Sequence, residues 1–410
     1  MSVEPGRLRG ATGPEPVDWP GAVVVGGGAT GLLTALELDR RGLAALVVEE
    51  TALCSGQTGQ CHGWLHHGAV FTDAEPDEFD LLDRGARQWE RLAGGLDGGL
   101  AVPCYLAGRH QFTRDAIAAI WDRLRLRYEN ADTTGEAYGW RLRGPENAVV
   151  PIEVLRAALA TSGVVIRRAQ AVELQVRGDV GRATALVVHA GPHVASVQAA
   201  AFVLATGAGM GGLLPGSDVP ARLTRRLSFM LVVRSDSIGG CGLAVPEQEA
   251  LGLFAVPRAK DGKRYLLLSN FVSYIPSTDI SAARANWLAG IGPTVARYLP
   301  RIWSAPDALW GLYSAVKVEP VRDLALGVAG PAEIPTGFTN VWAGVPGKLV
   351  LAPILAERLA NHVAEYLADR CPQPRHPPAA ALPPVPWGPE EWQLTPLVRC
   401  ATMFGEDANR

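Results

Sequence analysis

Residues 22–50 read AVVVGGGATGLLTALELDRRGLAALVVEE, and this stretch predicts how the first domain folds. An apolar run typical of a buried strand opens it and ends in the glycine-rich turn 26–31. Apolar residues then recur at helical spacing until Gly42, and a second apolar run closes on the acids Glu49 and Glu50. A strand, a glycine turn, a helix, a strand and a terminal acid within about 30 residues indicate a dinucleotide-binding unit.

Each glycine of the turn has its own expected role. Gly26 permits the tight bend, Gly28 lets a pyrophosphate approach the backbone, and Gly31 lets the helix pack closely on the strand. The helix N-terminus then offers free N–H groups and the positive end of its dipole to the phosphates. Glu49 lies 23 residues after Gly26, where its carboxylate would accept ribose hydrogen bonds and repel a 2′-phosphate, which disfavours NADP. The alternative is a structural turn that binds no nucleotide.

Four segments, in chain order, carry a family resemblance. They are residues 22–49, the stretch SGQTGQCHGWLHHG at 55–68, the strand end at 202–207 and the turn PGKL at 346–349. Together they resemble the D-amino-acid oxidase superfamily of FAD-dependent oxidoreductases, in particular its glycerol-3-phosphate and L-2-hydroxyglutarate dehydrogenase branch. The resemblance implies an α/β fold, with a Rossmann-type FAD-binding domain built from discontinuous segments and an antiparallel-sheet α+β substrate domain.

The resemblance also implies a cofactor and a reaction. FAD would accept a hydride from a carbon that bears OH or NH in a small-molecule substrate, and O2 or a quinone-type acceptor would take up the electrons. The residues expected to bind FAD are Gly26, Gly28, Ala29, Thr30, Gly31, Glu49, Glu50, Ser55, Gly56, Gln57, Thr58, Gly63, Val172, Thr206, Gly207, Gly347, Lys348 and Leu349.

Two other classes of protein are compatible with a flavin site. One is a flavin-binding protein without turnover, which a histidine cluster and two lysines near the predicted flavin argue against. The other is a flavin-dependent monooxygenase, which usually carries a second Gly-Asp motif, and residues 205–209 lack the acid. The second Gly-x-Gly-x-x-Gly, at 207–212, is not followed by a helix and a terminal acid. We therefore expect one dinucleotide site and no separate nicotinamide donor.

Lysine is rare here, with four lysines among 38 basic residues. Lys348 stands at the start of a helix, where the dipole disfavours a cation, so we expect it to stabilise charge on the reduced flavin or on substrate oxygen. Lys317 lies where relatives place an arginine that clamps the substrate's carboxylate or phosphate. A lysine there keeps the charge but loses the bidentate fork, which argues against a simple amino acid or 2-hydroxy acid. The alternative for either lysine is a solvated side chain.

Three of the eight histidines, His62, His66 and His67, fall within six residues. The ordinary pKa of histidine suits proton transfer near neutral pH, so His62 and His66 are candidate catalytic residues. The alternatives are packing against the flavin and, as in some relatives, a covalent bond to it, which would involve His62 or Cys61. No ligand pattern predicts a metal.

Length and composition limit the remaining possibilities. At 410 residues the chain exceeds the size of a single core, so two domains are expected. A net charge of −3 gives no reason to expect nucleic acid or an anionic membrane as a partner, and no apolar run of about 18 residues predicts a membrane span. Scattered cysteines and an N-terminus without a signal pattern indicate a reducing cytoplasm.

The same patterns give expected domain boundaries. These are 1–75, 151–214 and 336–372 for the FAD-binding domain, 76–150 and 215–335 for the substrate domain, and 373–410 for a proline-rich tail. We expect the tail to be extended and to dock through Trp387 and Trp392.

Overall fold

The computed structural model describes residues 15–71, 75–94, 101–133, 137–176, 181–214, 219–276, 279–321, 330–368 and 383–405. Their strands are β1 (Glu15–Val25), β2 (Ala45–Glu49), β3 (Trp64–Leu65), β4 (Ala101–Gly108), β5 (Glu129–Asn130), β6 (Trp140–Val149), β7 (Val165–Arg168), β8 (Gln170–Val176), β9 (Ala183–Ala190), β10 (His193–Leu204), β11 (Leu223–Arg234), β12 (Gly242–Val245), β13 (Leu253–Lys260), β14 (Lys263–Ser269), β15 (Leu309–Pro320), β16 (Ala332–Ile334), β17 (Val341–Val345) and β18 (Val398–Arg399).

Helices connect and cover these strands. They are α1 (Ala29–Arg40), α2 (Gln57–Gln60), α3 (Pro76–Gly94), α4 (Gln111–Arg123), α5 (Pro151–Ala160), α6 (Met210–Leu213), α7 (Ile280–Tyr298), α8 (Pro300–Trp303), α9 (Ala352–Ala368), α10 (Glu391–Leu394) and α11 (Cys400–Phe404). Among the described residues, no helix is both long and apolar enough to cross a membrane.

The first sheet has a parallel centre, in the order β17-β10-β1-β2-β7, with β16, β9 and β8 added antiparallel. Side chains of β1 alternate between its faces, as a strand requires. Ala22 and Val24 join a core with α1, α3, α5 and α9, whereas Val23 and Val25 join a second core with β8, β9 and β10. The carboxyl ends of the parallel strands therefore lie together at one edge of a sheet that is covered on both faces.

The second sheet is mainly antiparallel, in the order β18-β15-β11-β14-β13-β12-β4-β6-β3, with β5 beside β6. Helix α7 covers one of its cores through Trp287, Ile291 and Val295. A parallel α/β sheet beside an antiparallel sheet with its own helices is the predicted fold class, which is confirmed. The domain boundaries stay a prediction.

Two sequence expectations change in detail. Helix α1 begins at Ala29, within the glycine-rich turn 26–31 rather than after it, because the last residues of that turn already form the first turn of the helix. The tail is extended from Pro383 to Pro389, but it then forms α10, β18 and α11, and β18 pairs with β15. Residues 369–382 lie outside the described part. Docking through the two tryptophans is confirmed, since Trp387 packs on the first core and Trp392 is 3% exposed.

Candidate active site

A cavity of about 730 Å³ has two walls. The carboxyl edge of the first sheet is called the first wall, and the second sheet together with residues 66–71 is called the second wall. The volume of the cavity is within the range of small-molecule and cofactor sites, and its place is where doubly wound sheets bind ligands. The predicted site residues that line it are Gly26, Gly28, Ala29, Thr30, Glu49, Glu50, Ser55, Gly56, Gln57, Thr58, His62, Gly63, His66, Thr206, Gly207, Lys317, Gly347, Lys348 and Leu349. Gly31 and Val172 do not line it.

The glycines of the turn 26–31 differ in what a side chain would meet. Gly26 has a φ of +108°, and a Cβ on Gly31 would lie 1.9 Å from the Gly26 carbonyl oxygen, so both positions are closed by the protein itself. A Cβ on Gly28 would meet only the Thr58 hydroxyl, at 3.4 Å. Gly31 is thus a packing position behind the cavity, whereas Gly28 faces open space that a ligand can use.

Polar groups around the start of α1 organise this edge. The N-cap residue Gly28 provides no side chain to the helix, and the Ala29 N–H donates to the Thr58 hydroxyl at 2.9 Å. The Glu49 carboxylate accepts from the Gly27 N–H at 2.7 Å and from the Thr51 N–H at 2.9 Å. Glu49 therefore holds the turn as well as facing the cavity.

Glu50 and Val172, which were also expected to bind FAD, do not belong to the polar groups around the start of α1. Glu50 lines the cavity but accepts from the Gln170 side chain at 3.0 Å. Val172 lies on β8 and is 42% exposed, while Ala169 and Ala171 line the cavity in its place. Alternation along an extended segment explains the difference, because neighbouring side chains point to opposite faces.

These residues fit a dinucleotide such as FAD. The helix N-terminus and the space beside Gly28 suit a pyrophosphate, and Glu49 suits a ribose. Thr206 Oγ1 is buried, with no hydrogen-bond partner among the described residues, at a strand end that lines the cavity. A buried hydroxyl without a partner is costly, so a bound polar group at this point would satisfy it.

The turn before α9 carries Lys348. Gly347 has a φ of +69°, and Lys348 caps the short 3₁₀ turn Leu349–Leu351 that leads into the helix. The Lys348 ammonium lies 3.3 Å from Glu319 Oε1 and 5.4 Å from the centre of the Phe71 ring. This lysine is therefore a paired cation at the cavity wall rather than a solvated one.

Lys317 lies on β15 and faces the cavity. Its ammonium forms no hydrogen bond or ion pair within the described part of the chain. The side chain is exposed to the open cavity, yet desolvation by the surrounding walls, followed by the charge of nearby Lys348, lowers the pKa of Lys317 to about 8. The two lysines thus differ: Lys348 has a carboxylate partner, and Lys317 is available to a ligand.

The three histidines divide between two environments. Burial, followed by the charges of Lys317 and Arg258, lowers the pKa of His62 to about 3, and burial also lowers the pKa of His66 well below its usual range. His67 points away from the cavity. Burial opposes its protonation, but hydrogen bonds to Asp83 at 2.7 Å and Glu90 at 3.4 Å outweigh that and raise the pKa of His67 to about 9.

Both rings are therefore neutral near pH 7, unlike a free histidine, and the catalytic roles expected of His62 and His66 stay predictions. His62 Nδ1 accepts the Trp64 N–H at 3.1 Å, so the ring proton of the neutral imidazole is on Nε2. His66 Nδ1 is buried without a partner among the described residues. Both rings can exchange hydrogen bonds with a ligand in the cavity.

Sequence reasoning missed an aromatic patch on the second wall, formed by Phe71, His66, Phe254 and Phe271. Ring centres are 4.9 Å apart for Phe71 and His66, and 5.6 Å for His66 and Phe254. They are 5.3 Å apart for Phe254 and Phe271, and 6.0 Å for Phe271 and Phe71. The four rings thus form a closed cycle of contacts, and all line the cavity. Their positions in the sequence show no common spacing that could have found them.

Two polar residues beside the patch were also missed. Ser228 Oγ and Asn270 Nδ2 are buried without hydrogen-bond partners among the described residues, and both residues line the cavity. Asn270 Oδ1 accepts from the Trp287 ring N–H and the Val272 N–H, each at 3.0 Å, which fixes the direction of its amide. Two polar residues, Ser269 and Asn270, follow the apolar run 266–268 at the end of β14 and were the available signal.

The tail supports the cavity from outside. The Leu53 N–H donates to the Pro386 carbonyl and the Gly388 N–H to the Leu53 carbonyl, both at 2.9 Å. Glu390 lies 3.8 Å from Arg258, and Arg258 donates to the His62 carbonyl at 2.8 Å. The tail thereby fastens the segment that carries the predicted flavin contacts to the second sheet.

One group in the described residues, His110, Glu247 and Glu249, has the composition of a metal site, and it lies outside the cavity. The Glu247 carboxylate already accepts backbone N–H groups of Arg109 and His110 at 2.7–3.0 Å. The absence of a metal stays a prediction.

Comparison with protein families gives one match over most of the chain. A family described as DAO, FAD dependent oxidoreductase, matches residues 22–361. One subunit of the anaerobic glycerol-3-phosphate dehydrogenase of Escherichia coli K12 is 40% identical over 81 residues, which are 18% of this chain and 15% of that protein. The chain thus covers well under two thirds of that curated relative.

Solved structures share the fold over nearly the whole chain. An FAD dependent oxidoreductase from Pseudomonas aeruginosa is 22% identical, with 94% of this chain and 99% of the other covered and a TM-score of 0.69. L-amino acid deaminase from Proteus vulgaris is 17% identical, with coverage of 87% and 93% and a TM-score of 0.64. Glycine oxidase from Bacillus cereus is 16% identical, with coverage of 87% and 99% and a TM-score of 0.61.

Proposed function

This chain belongs to the DAO family of FAD-dependent oxidoreductases, and from that membership we propose that it oxidises a carbon bearing OH or NH in a small-molecule substrate. One observation carries the proposal. A glycine turn suited to a dinucleotide lines the same cavity as an unpaired lysine and two neutral histidines. Similar structures that are named for amino acid deamination and glycine oxidation support the choice of reaction.

FAD is the cofactor of this family, and when bound it accepts the hydride that leaves the substrate carbon. The residues that would hold it are those of the first wall. The α1 N-terminus and Gly28 would face the pyrophosphate, Glu49 the ribose, and the turn at Gly347 and Lys348 the ring system.

Lys317 is the proposed proton acceptor. A substrate O–H or N–H must lose a proton as the neighbouring C–H bond breaks, and a base with a pKa near the working pH does this best. With its pKa lowered to about 8, Lys317 is partly neutral near pH 7–8 and can accept that proton at Nζ. Lys348, which forms an ion pair with Glu319, would stabilise negative charge in the cavity.

His62 and His66 are proposed to orient the substrate rather than to accept its proton. Their low pKa values make them poor bases. The Nε2–H of His62 is a donor, and stacking on Phe254, with ring centres 5.3 Å apart, holds its ring in place. It would hydrogen-bond the substrate's oxygen or nitrogen.

O2 or a quinone-type compound is the proposed electron acceptor, and a reducing cytoplasm is the proposed location. The location is supported by cysteines 54, 61, 104, 241 and 400, which are all free in the described part of the chain.

Anaerobic titration of the holoprotein with a panel of amines, alcohols and hydroxy acids tests the reaction. At least one amine or alcohol should bleach the flavin absorbance, and reoxidation with O2 or menadione should restore it. Bleaching by NADH or NADPH instead would indicate a monooxygenase. If no member of a broad panel bleaches the flavin, the proposed reaction is wrong.

A further inference from the structure

We propose that the aromatic patch binds an aryl group of the electron-donating substrate, so that arylalkyl amines or alcohols are preferred over small aliphatic ones. This inference rests on the proposed function, since it names the substrate class for the same site. It starts from the four rings of the patch, which line the second wall of the cavity opposite the glycine turn.

The patch offers ring surface to the cavity that the protein does not cover. Phe254 is 3% exposed and anchors the patch on β13, whereas Phe271, two residues after the end of β14, is 48% exposed. A half-exposed phenylalanine beside a cavity leaves apolar surface in contact with water, which a ligand ring would remove. Aromatic rings pair at centre distances of about 4.5–7 Å, so a ligand ring can extend the existing contacts of the patch.

Polar groups at the same wall indicate which further chemical groups the ligand should carry. Asn270 is 6% exposed, and its Oδ1 is held by two N–H donors, so its unpartnered Nδ2 is a fixed donor at the cavity. Ser228 adds an unpartnered hydroxyl and is 7% exposed. An aryl group that carries an acceptor oxygen or nitrogen would satisfy such a donor.

The charges of the lining argue against a small amino acid. No arginine lines the cavity in the described part of the chain, and Lys348 already has a carboxylate partner in Glu319. If Lys317 accepts a proton, no free cation remains to clamp a carboxylate. Substrate binding must then come from apolar contact and hydrogen bonds, which the patch and Asn270 supply.

Calorimetric binding to anaerobic holoprotein, with two matched pairs of probes, tests the inference. Benzylamine should bind about tenfold more tightly than n-butylamine, or benzyl alcohol than n-butanol, and Phe271→Ala should remove that preference. Phe271→Tyr should keep it. Phe112→Ala is the matched control, since Phe112 is 73% exposed and does not line the cavity, and it should change nothing. 4-Methoxybenzylamine should bind more tightly than benzylamine, because its ether oxygen can accept from Asn270. Asn270→Leu should remove this difference in affinity.

A quinone-type electron acceptor is also a planar ring and could bind the same patch. A second measurement therefore distinguishes an aryl substrate from a quinone acceptor. Reoxidation of the reduced flavin by menadione should be equal in wild type and Phe271→Ala. If Phe271→Ala slows reoxidation but leaves the binding of all five probes unchanged, the patch belongs to the acceptor and the inference is wrong. It is equally wrong if aryl and alkyl probes bind alike. Failure of every panel member to bleach the flavin would refute only the proposed reaction. The aryl preference is tested separately, because binding is measured directly.

Discussion

The two walls of the cavity are built in different ways. The first wall comes largely from the turn 26–31 and the strand end at Glu49, which are close together in the chain. The second wall gathers Phe71, Phe254 and Phe271 from distant segments. Recognition of a common cofactor uses backbone groups and glycine positions, which leave a local pattern, whereas the substrate wall depends on side chains that only the fold brings together.

Gly31→Ala should have the largest effect on the first wall. Its Cβ would lie 1.9 Å from the Gly26 carbonyl, so helix and strand must separate, at a cost of about 1–3 kcal/mol or more. We expect a lower melting temperature and loss of bound FAD, measured by absorbance after gel filtration. Gly212→Ala, in the second glycine motif, is the control because a Cβ there meets nothing within 4 Å. Normal FAD content in Gly31→Ala would contradict the close packing.

Lys317→Met should have the largest effect on the second wall. Removing a proton acceptor should slow anaerobic flavin reduction on the order of 100-fold. In wild type, the rate should rise with pH through about 8, because the neutral amine is the active form, and the variant should lose this rise. Single-turnover absorbance measurements across about pH 6–10 provide the check, because this range spans the lowered pKa of Lys317.

Lys348→Met tests whether the pH profile of flavin reduction reports the pKa of Lys317. The charge of Lys348 contributes to the lowered pKa of Lys317, so its removal should move the midpoint of the pH profile upward. Lys263→Met, at an exposed position on β14, should leave the profile unchanged. A wild-type rate that falls as pH rises through 8 would instead identify Lys317 as a required cation.

Glu49→Arg should weaken FAD binding at least tenfold, since hydrogen bonds to a charged acceptor contribute about 1.5–3 kcal/mol each. The variant also removes the acceptor for the Gly27 N–H. Glu50→Arg, which alters a residue paired with Gln170, should have a smaller effect. Fluorescence titration of the apoprotein with FAD measures both, and a larger loss in Glu50→Arg would identify Glu50 as the ribose contact.

Substitutions of His66 and His67 should have the smallest effects, and these concern the pH dependence of stability. One contribution is lost as the pH rises and the other as the pH falls. The raised pKa of His67 means that its contribution, on the order of 1–3 kcal/mol, is complete below pH 6.5 and is lost as pH rises through about 9. His67→Gln should therefore flatten the alkaline fall in melting temperature. His66, with its lowered pKa, costs stability as pH falls below 6.5, and His66→Gln should reduce that loss. Unchanged slopes in both variants would contradict these environments.

Adjacent histidines show where sequence reasoning ends. The pattern at 55–68 predicted that this segment reaches the flavin site, and His62 and His66 do line the cavity. It gave no sign that His67 would meet Asp83 and Glu90 of α3, because those partners depend on how the helix packs. Nor could it show that burial would keep His62 and His66 neutral. Chain-local features such as the glycine turn were predictable, and properties set by distant neighbours were not.

The lysines and the tail give the same lesson. The scarcity of lysine identified Lys317 and Lys348 as unusual, and both line the cavity. Which of them is paired depends on Glu319, which lies two positions after Lys317 but 29 before Lys348. Proline content predicted the extended part of the tail but not β18, because a two-residue strand depends on its partner β15.

The contact between the tail and Leu53 has a consequence for synthesis. Leu53 lies just before the segment that wraps the predicted flavin position, yet its backbone partners, Pro386 and Gly388, follow more than 300 positions later. At a ribosomal rate of about 5–20 residues per second, these partners are synthesised on the order of half a minute after Leu53. A nascent chain therefore exposes an incomplete nucleotide site throughout that interval. Stable capture of FAD should therefore follow translation of residues 383–405.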